Sequence, residues 1–316
     1  MKPYSLLLGD ELRALLKATK ERDGTPESET IRRALRAYGQ GGNPLLPEEL
    51  EFRSSLGLEL RADIERAEHL FESVMRRIGD DVSPENPGIR TNTAAPMFVR
   101  RMLVAYLTKV ISTFRGIVLL ANSGRPEEAS ALLRVLFEVL AVVRFIVQDE
   151  AQIQHRAAMV YLHGRVREAV MVRTWQLSPK LRHKDQAAYL AEAKVPDFIE
   201  KLVPPEVNRE HLKKHWSGQP GGLATICPSL DLGEWYDTVY RTASMFSHAT
   251  DHHSRLEVDE GGGLVVSFMP HAAGLGLTLK VGCVLLWVAT FDILKALGSE
   301  IGIDDLKPDV LGAGVG

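Results

Sequence analysis

The densest chemistry in the chain lies between residues 236 and 253. Tyr236, Tyr240, Ser244, His248 and His252 recur there at i, i+4 intervals, with Asp237, Arg241, Asp251 and His253 among them. On a helix that spacing lines side chains up along one face. Seven residues is nearly two turns, so Asp237, Arg241, Ser244 and His248 also fall close together in projection. A plain solvent face usually carries Lys and Glu, yet residues 236–248 contain neither. Val239, Ala243, Met245 and Phe246 offer a buried side for the same helix. Histidine titrates near neutral pH, so such a face could carry acid/base chemistry. Arg241, His248 and Ser244 are therefore the candidate catalytic residues. A second set stands on the run from Leu132 to Val147, which is apolar but for Arg134, Glu138 and Arg144. Arg134 and Glu138, at i, i+4, share a face. They read either as a structural ion pair or as the polar wall of a pocket inside a helical bundle. Arg134, Glu138, Tyr240 and Trp216 form the candidate ligand pocket.

Other chemistries find less. His248, Asp251, His252, His253 and the more distant His271 have metal-ligand types. The HxxxH spacing lacks the glutamate of HExxH, and no third and fourth ligand is evident, so no metal is expected. No GxSxG elbow surrounds Ser244, which argues against a serine hydrolase. Neither a P-loop nor a GxGxxG is present, and GGGL at 261–264 reads as a hairpin turn. No cofactor is expected.

The elements that must position these groups are mostly helices. Tyr4–Leu8 is β-compatible. Asp10–Arg22 and a stretch from Pro26 to Tyr38 read as helices, the second capped by Thr25. Residues 39–44 are a linker. Pro47–Ile78 reads as one long charged helix, and the proline-rich 79–96 as a second linker. Pro96–Asn122, Pro126–Gln148 and Ala151–Trp175 are long apolar helices. Lys184–Leu202 and Val207–Lys214 are shorter ones. Residues 216–232 form a loop, Leu232–His253 a helix, 254–269 a β-hairpin and Ala272–Leu297 the last helix. The fold class is thus mainly α: a small N-terminal module over 1–39, a linker and charged helix over 40–96, a bundle with one inserted hairpin over 97–298, and a tail over 299–316.

The N-terminal segment LLLGDELRALLKATKERDGTPESETIRRALRAY resembles the ribbon-helix-helix family of dimeric DNA binders. The resemblance implies a strand at Tyr4–Leu8, a turn at Gly24-Thr25 and a second helix carrying Ile31, Ala34 and Leu35. It also implies DNA contacts from Lys2 and Ser5 on the strand and from Thr25 and Ser28 at the helix N-terminus, where free N–H groups attract phosphate. The strand presents Pro3, Ser5 and Leu7 on one face and Lys2, Tyr4 and Leu6 on the other. Neither face has three polar base readers, so the module either binds phosphate with little sequence preference or serves only to dimerise. So small a unit needs a partner to bury its core, and a homodimer is expected.

The helix GRPEEASALLRVLFE (124–138), the loop HWSG (215–218) and the helix YDTVYRTASMFSH (236–248) are similar to those of domain of unknown function 5677, over about residues 97–298. Arg241-x6-His248 is similar to the Arg-x(4–6)-His motif of the HEPN superfamily. That likeness implies a metal-independent endoribonuclease in which His248 moves protons and Arg241 steadies the phosphate.

Composition bounds the rest. The 316 residues are 45% hydrophobic and 25% charged, with a net charge of −3, which excludes a polycation built for nucleic acid throughout. Residues 1–39 hold 8 basic and 6 acidic side chains, leaving 30 and 35 for the remainder. Cys227 and Cys283 form no disulfide or zinc pattern, and they suit a reducing cytoplasm. Met97–Asn122 carries Arg100, Arg101, Lys109 and Arg115, and Leu275–Leu297 carries Lys280 and Asp292. Both read as core helices, so no membrane partner is expected. Two functions remain open: a dimeric regulator or defence-type protein with a DNA-binding-like head and a ligand pocket in its body, or the ribonuclease, with RNA as substrate.

Overall fold

The computed structural model describes residues 47–81, 97–177, 197–246, 256–258, 264–266, 271–299 and 302–308. The chain divides into two units at Leu50 and Glu51, and the second is described here. The ribbon-helix-helix reading of residues 1–39, with Lys2, Ser5, Thr25 and Ser28, lies outside the described residues. So does His248.

The expected single helix over 47–78 is two, α1 (Pro47–Ser55) and α2 (Leu58–Asp81). The break falls at Leu56-Gly57, where glycine lowers helix propensity, and the Gly57 carbonyl starts α2 by accepting from Arg61 N–H at 3.1 Å. Charged as it is, α2 belongs to the core. Ile64, Ala67, Leu70, Val74 and Ile78 make a buried stripe at three- and four-residue steps.

Helix α3 (Met97–Asn122) repeats the pattern with Val99, Leu103, Leu107, Val110, Phe114, Ile117 and Ala121. It ends at Gly124, whose φ of 64° is the left-handed turn that stops helices. Arg125 N–H closes the turn on Leu120 O at 3.0 Å. Pro126 then opens α4 (Pro126–Val147) at the position where proline's missing N–H costs nothing. The two helices lie close enough that a Cβ on Gly116 would come within 2.7 Å of Leu132 Cδ1.

Helix α4 packs between α3 and the last long helix, and buries residues on nearly every side. A 3₁₀ turn at Glu150–Gln152, capped by Asp149, leads into α5 (Ile153–Leu177). Short helices α6 (Asp197–Leu202) and α7 (Arg209–Lys214) follow, the second capped by Asn208. The expected loop at 216–232 contains two helical turns, Leu223–Ile226 and Cys227–Leu230.

The next helix, α8, starts as Gly233–Trp235, passes through a π-helical turn at Tyr236–Tyr240 and resumes α geometry over Arg241–Phe246. Leu256–Val258 pairs antiparallel with Leu264–Val266, Glu257 opposite Val265. These three-residue strands are all the strand structure among the described residues, and the body is mainly helical. Helix α9 (Leu275–Ala296) closes the bundle on α2, α3 and α4. In the expected tail, the described residues 302–308 touch the bundle. Ile303 is buried, its carbonyl accepts from Trp287 Nε1 at 2.9 Å, and Arg77 of α2 pairs with Asp305.

By length and composition alone, α3 and α9 could each cross a membrane. In the bundle they pack on one another and on α4.

Candidate functional site

The face of α4 toward α8 carries Arg134 and Glu138, and the π turn of α8 sets Tyr240 against them. The three side chains close a triangle. Arg134 Nε donates to Glu138 Oε1 at 3.1 Å, Arg134 Nη2 donates to Tyr240 Oη at 3.1 Å, and Tyr240 Oη donates to the same Glu138 oxygen at 3.1 Å. The Tyr240 ring is held from three sides. Tyr236 stacks on it at 5.1 Å, Phe137 tilts against it at 5.5 Å, and the Arg134 guanidinium lies 5.0 Å from its centroid.

Electrostatics fixes the charge states. Burial, and then the Glu138 carboxylate, push the Tyr240 hydroxyl up against the opposing pull of Arg134, so it remains a phenol at neutral pH. Burial works against the charge on Arg134, but the Tyr240 oxygen and Glu138 together outweigh it and raise its pKa further. The cluster is half-buried rather than sealed: the Arg134 side chain is 26% exposed and that of Glu138 39%. It offers a fixed cation, a carboxylate, a phenol and an aromatic floor at one accessible spot.

Other predicted residues lie elsewhere. Arg241 points to solvent, 69% exposed, and pairs with Asp237 at 3.5 Å. The projected group Asp237, Arg241 and Ser244 is therefore split. Asp237 and Arg241 face outward, whereas Ser244 is half-buried beside the buried Ala243. Trp216 packs on Phe145 at 5.0 Å. Phe145 stands eleven residues along α4 from Arg134, roughly 16 Å at 1.5 Å per residue, so the described contacts seat Trp216 away from the triangle. Arg144, the third polar residue of α4, is a brace. It bonds Asp292 of α9 at 3.1 Å and the carbonyls of Leu230 and Asp231 at 3.2 Å each. His271 bonds Glu127 at 3.0 Å. Among the described residues no group of three or more His, Cys, Asp or Glu could hold a metal ion.

Sequence reasoning missed a second polar cluster at the end of α7. His163 Nδ1 donates to Leu212 O at 2.7 Å, and His215 Nδ1 lies 2.8 Å from the buried Ser217 hydroxyl. Ser217 N–H also points at Nδ1, at 3.3 Å, which leaves the His215 proton on Nε2, a buried atom with no partner among the described residues. Burial, reinforced by His163, lowers the His215 pKa to about 4. The signal was in the HWSGQPGG loop: Gly218, Gly221 and Gly222 all have positive φ and fold the chain back over His215.

Comparison with curated proteins and with solved structures found no match for this chain. A family pattern did match, over residues 100–263, from the first turn of α3 past α8 and thus across the triangle and the His215 loop. With just over half of its length matched, the chain belongs to the family of unknown function DUF5677.

Proposed function

We propose that the protein is a dimeric, cytoplasmic regulator or defence-type protein whose helical body recognises an anionic ligand at Arg134, Glu138 and Tyr240, and whose N-terminal module provides the dimer and a phosphate-driven contact to DNA. The observation that carries the reading is the closed triangle at a half-exposed position. Arginine, a phenol and an aromatic floor together suit a carboxylate or phosphate attached to a planar ring. The enzymatic alternative, an RNase using Arg241 and His248, has less behind it, because Arg241 lies on the solvent side of α8 in a surface pair with Asp237.

Thermal melting of the full chain against nucleoside phosphates and aromatic carboxylates tests the reading. Some of these ligands raise the Tm of the native protein and not that of Arg134→Gln. No rise at millimolar ligand, or an equal rise in the variant, ends the proposal. Metal-independent cleavage of single-stranded RNA, lost in Arg241→Ala, would replace it with the nuclease.

A further inference from the structure

Among the helices longer than twenty residues, α3 alone carries no Asp or Glu, while it holds four basic residues. Arg101, Lys109 and Arg115 are exposed, and among the described residues none of them is paired with a carboxylate. Elsewhere some surface cations find acids, as in Arg77 with Asp305, Lys213 with Glu210 and Arg241 with Asp237, while others such as Arg61 and Lys201 stand singly among acidic neighbours in sequence. The same outward side of α3 exposes large aliphatics: Met97 at 60%, Val104 at 40% and Leu119 at 45%. At 100° per residue, Met97, Arg101, Val104, Arg115 and Leu119 fall within about 60° of one another, with Lys109 at the flank. The outcome is one strip, roughly 33 Å long at 1.5 Å per residue, in which cations alternate with exposed hydrocarbon.

We propose that this face of α3 docks the protein on an anionic lipid surface, lying on the bilayer without crossing it. Charge complementarity requires an acidic occupant. A second copy of the chain fits poorly, since antiparallel pairing of the strip with itself would set Arg101 against Arg115. Nucleic acid would satisfy the cations, but a phosphate backbone has no use for Met97, Val104 and Leu119. An anionic bilayer uses both sets, because the cations meet lipid phosphates while the aliphatics enter the headgroup boundary. The chain's net charge of −3 does not prevent this, as charges beyond a screening length of about 8 Å count little at physiological salt. The expectation of no membrane partner concerned a span; a surface contact needs only this face.

The test is sedimentation of the full chain with vesicles of phosphatidylcholine alone or containing about 30% phosphatidylglycerol. Binding is expected to the mixed vesicles only, and to weaken with salt. The triple variant Arg101→Gln, Lys109→Gln, Arg115→Gln is expected to lose binding on the order of a hundredfold. Val104→Ser with Leu119→Ser, also surface positions, is expected to weaken the salt-resistant part. Circular dichroism and Tm unchanged in both variants confirm folding. Three results overturn the proposal: equal binding to neutral vesicles, mixed-vesicle binding unchanged in the triple variant, and mixed vesicles left unbound, with duplex DNA or RNA the occupant instead if it is bound and then lost in the triple variant.

Discussion

Replacing Tyr240 by Phe removes one oxygen and keeps the ring, so it isolates the triangle from the packing around it. Two bonds go, Arg134 to Tyr240 and Tyr240 to Glu138, each 3.1 Å. The bond from Arg134 to Glu138 stays, at 3.1 Å, and so does the ring stack with Tyr236. A hydrogen bond to a charged group contributes about 1.5–3 kcal/mol when its partner would be left dry. Here neither partner is left dry, since Arg134 and Glu138 are 26% and 39% exposed and keep each other. The expected cost is therefore about 1 kcal/mol in total, at the neutral end of the range. For a body of this size that is roughly 2 °C in Tm. Tyr240→Ala also loses the ring contacts, and its cost rises to about 2–3 kcal/mol. Urea unfolding of both variants, with Arg134→Gln to complete a double-mutant cycle, reads these values, and the cycle is expected to give a coupling of about 0.5–1 kcal/mol. A Phe variant as stable as the native protein with zero coupling shows that the triangle is not formed in solution. A Phe variant as damaged as Ala shows that the cluster is buried glue and not an accessible site.

Two further outcomes follow from the other clusters. Arg144→Met is expected to lower stability by about 2–4 kcal/mol, since it strips Asp292 of its Nε donor and two loop carbonyls of their Nη1 donor; an unchanged urea midpoint would remove the brace. His215 ionises near 6.5 in the unfolded chain and at about 4 in the fold, so its contribution is complete above pH 6.5 and is lost as pH falls through 4. His215→Asn should flatten stability against pH across that window, and an identical slope in the variant refutes the assignment.

The parts legible in the sequence were those where periodicity and punctuation agree. In α3 seven buried residues step by three and four, and Gly124 and Pro126 mark the turn into α4. Arg134, Glu138 and Tyr240 stood out as polar groups whose partners had to be near. What stayed hidden depended on long-range packing. The stripe from Ile64 to Ile78 in α2 is masked by its charges. Ile303 sits in a short segment with no period of its own. The π turn at Tyr236–Tyr240 changes the helical period in mid-helix, so a projection at 100° per residue misgroups Asp237 with Ser244. His215 gains meaning only from α5, more than fifty residues earlier, where His163 holds the end of α7.

The two arginines of α4 separate a fixed joint from a site that can open. Arg144 takes its acid from α9 and two carbonyls from the loop at Leu230-Asp231, so its bonds tie three parts of the fold together. Letting any of them go strands a half-buried charge. Arg134 takes its acid from its own helix, one turn away, and that pair survives whatever α8 does. Its bond to the Tyr240 oxygen reaches α8 at the one π turn among the described residues. Such turns recur at functional sites because their looser backbone can yield. An incoming oxyanion that takes the place of the Tyr240 oxygen replaces one acceptor of Arg134 by a stronger one, and leaves Glu138 paired. The exchange strands no charge, which supports recognition at this face and leaves Arg144 to hold the fold.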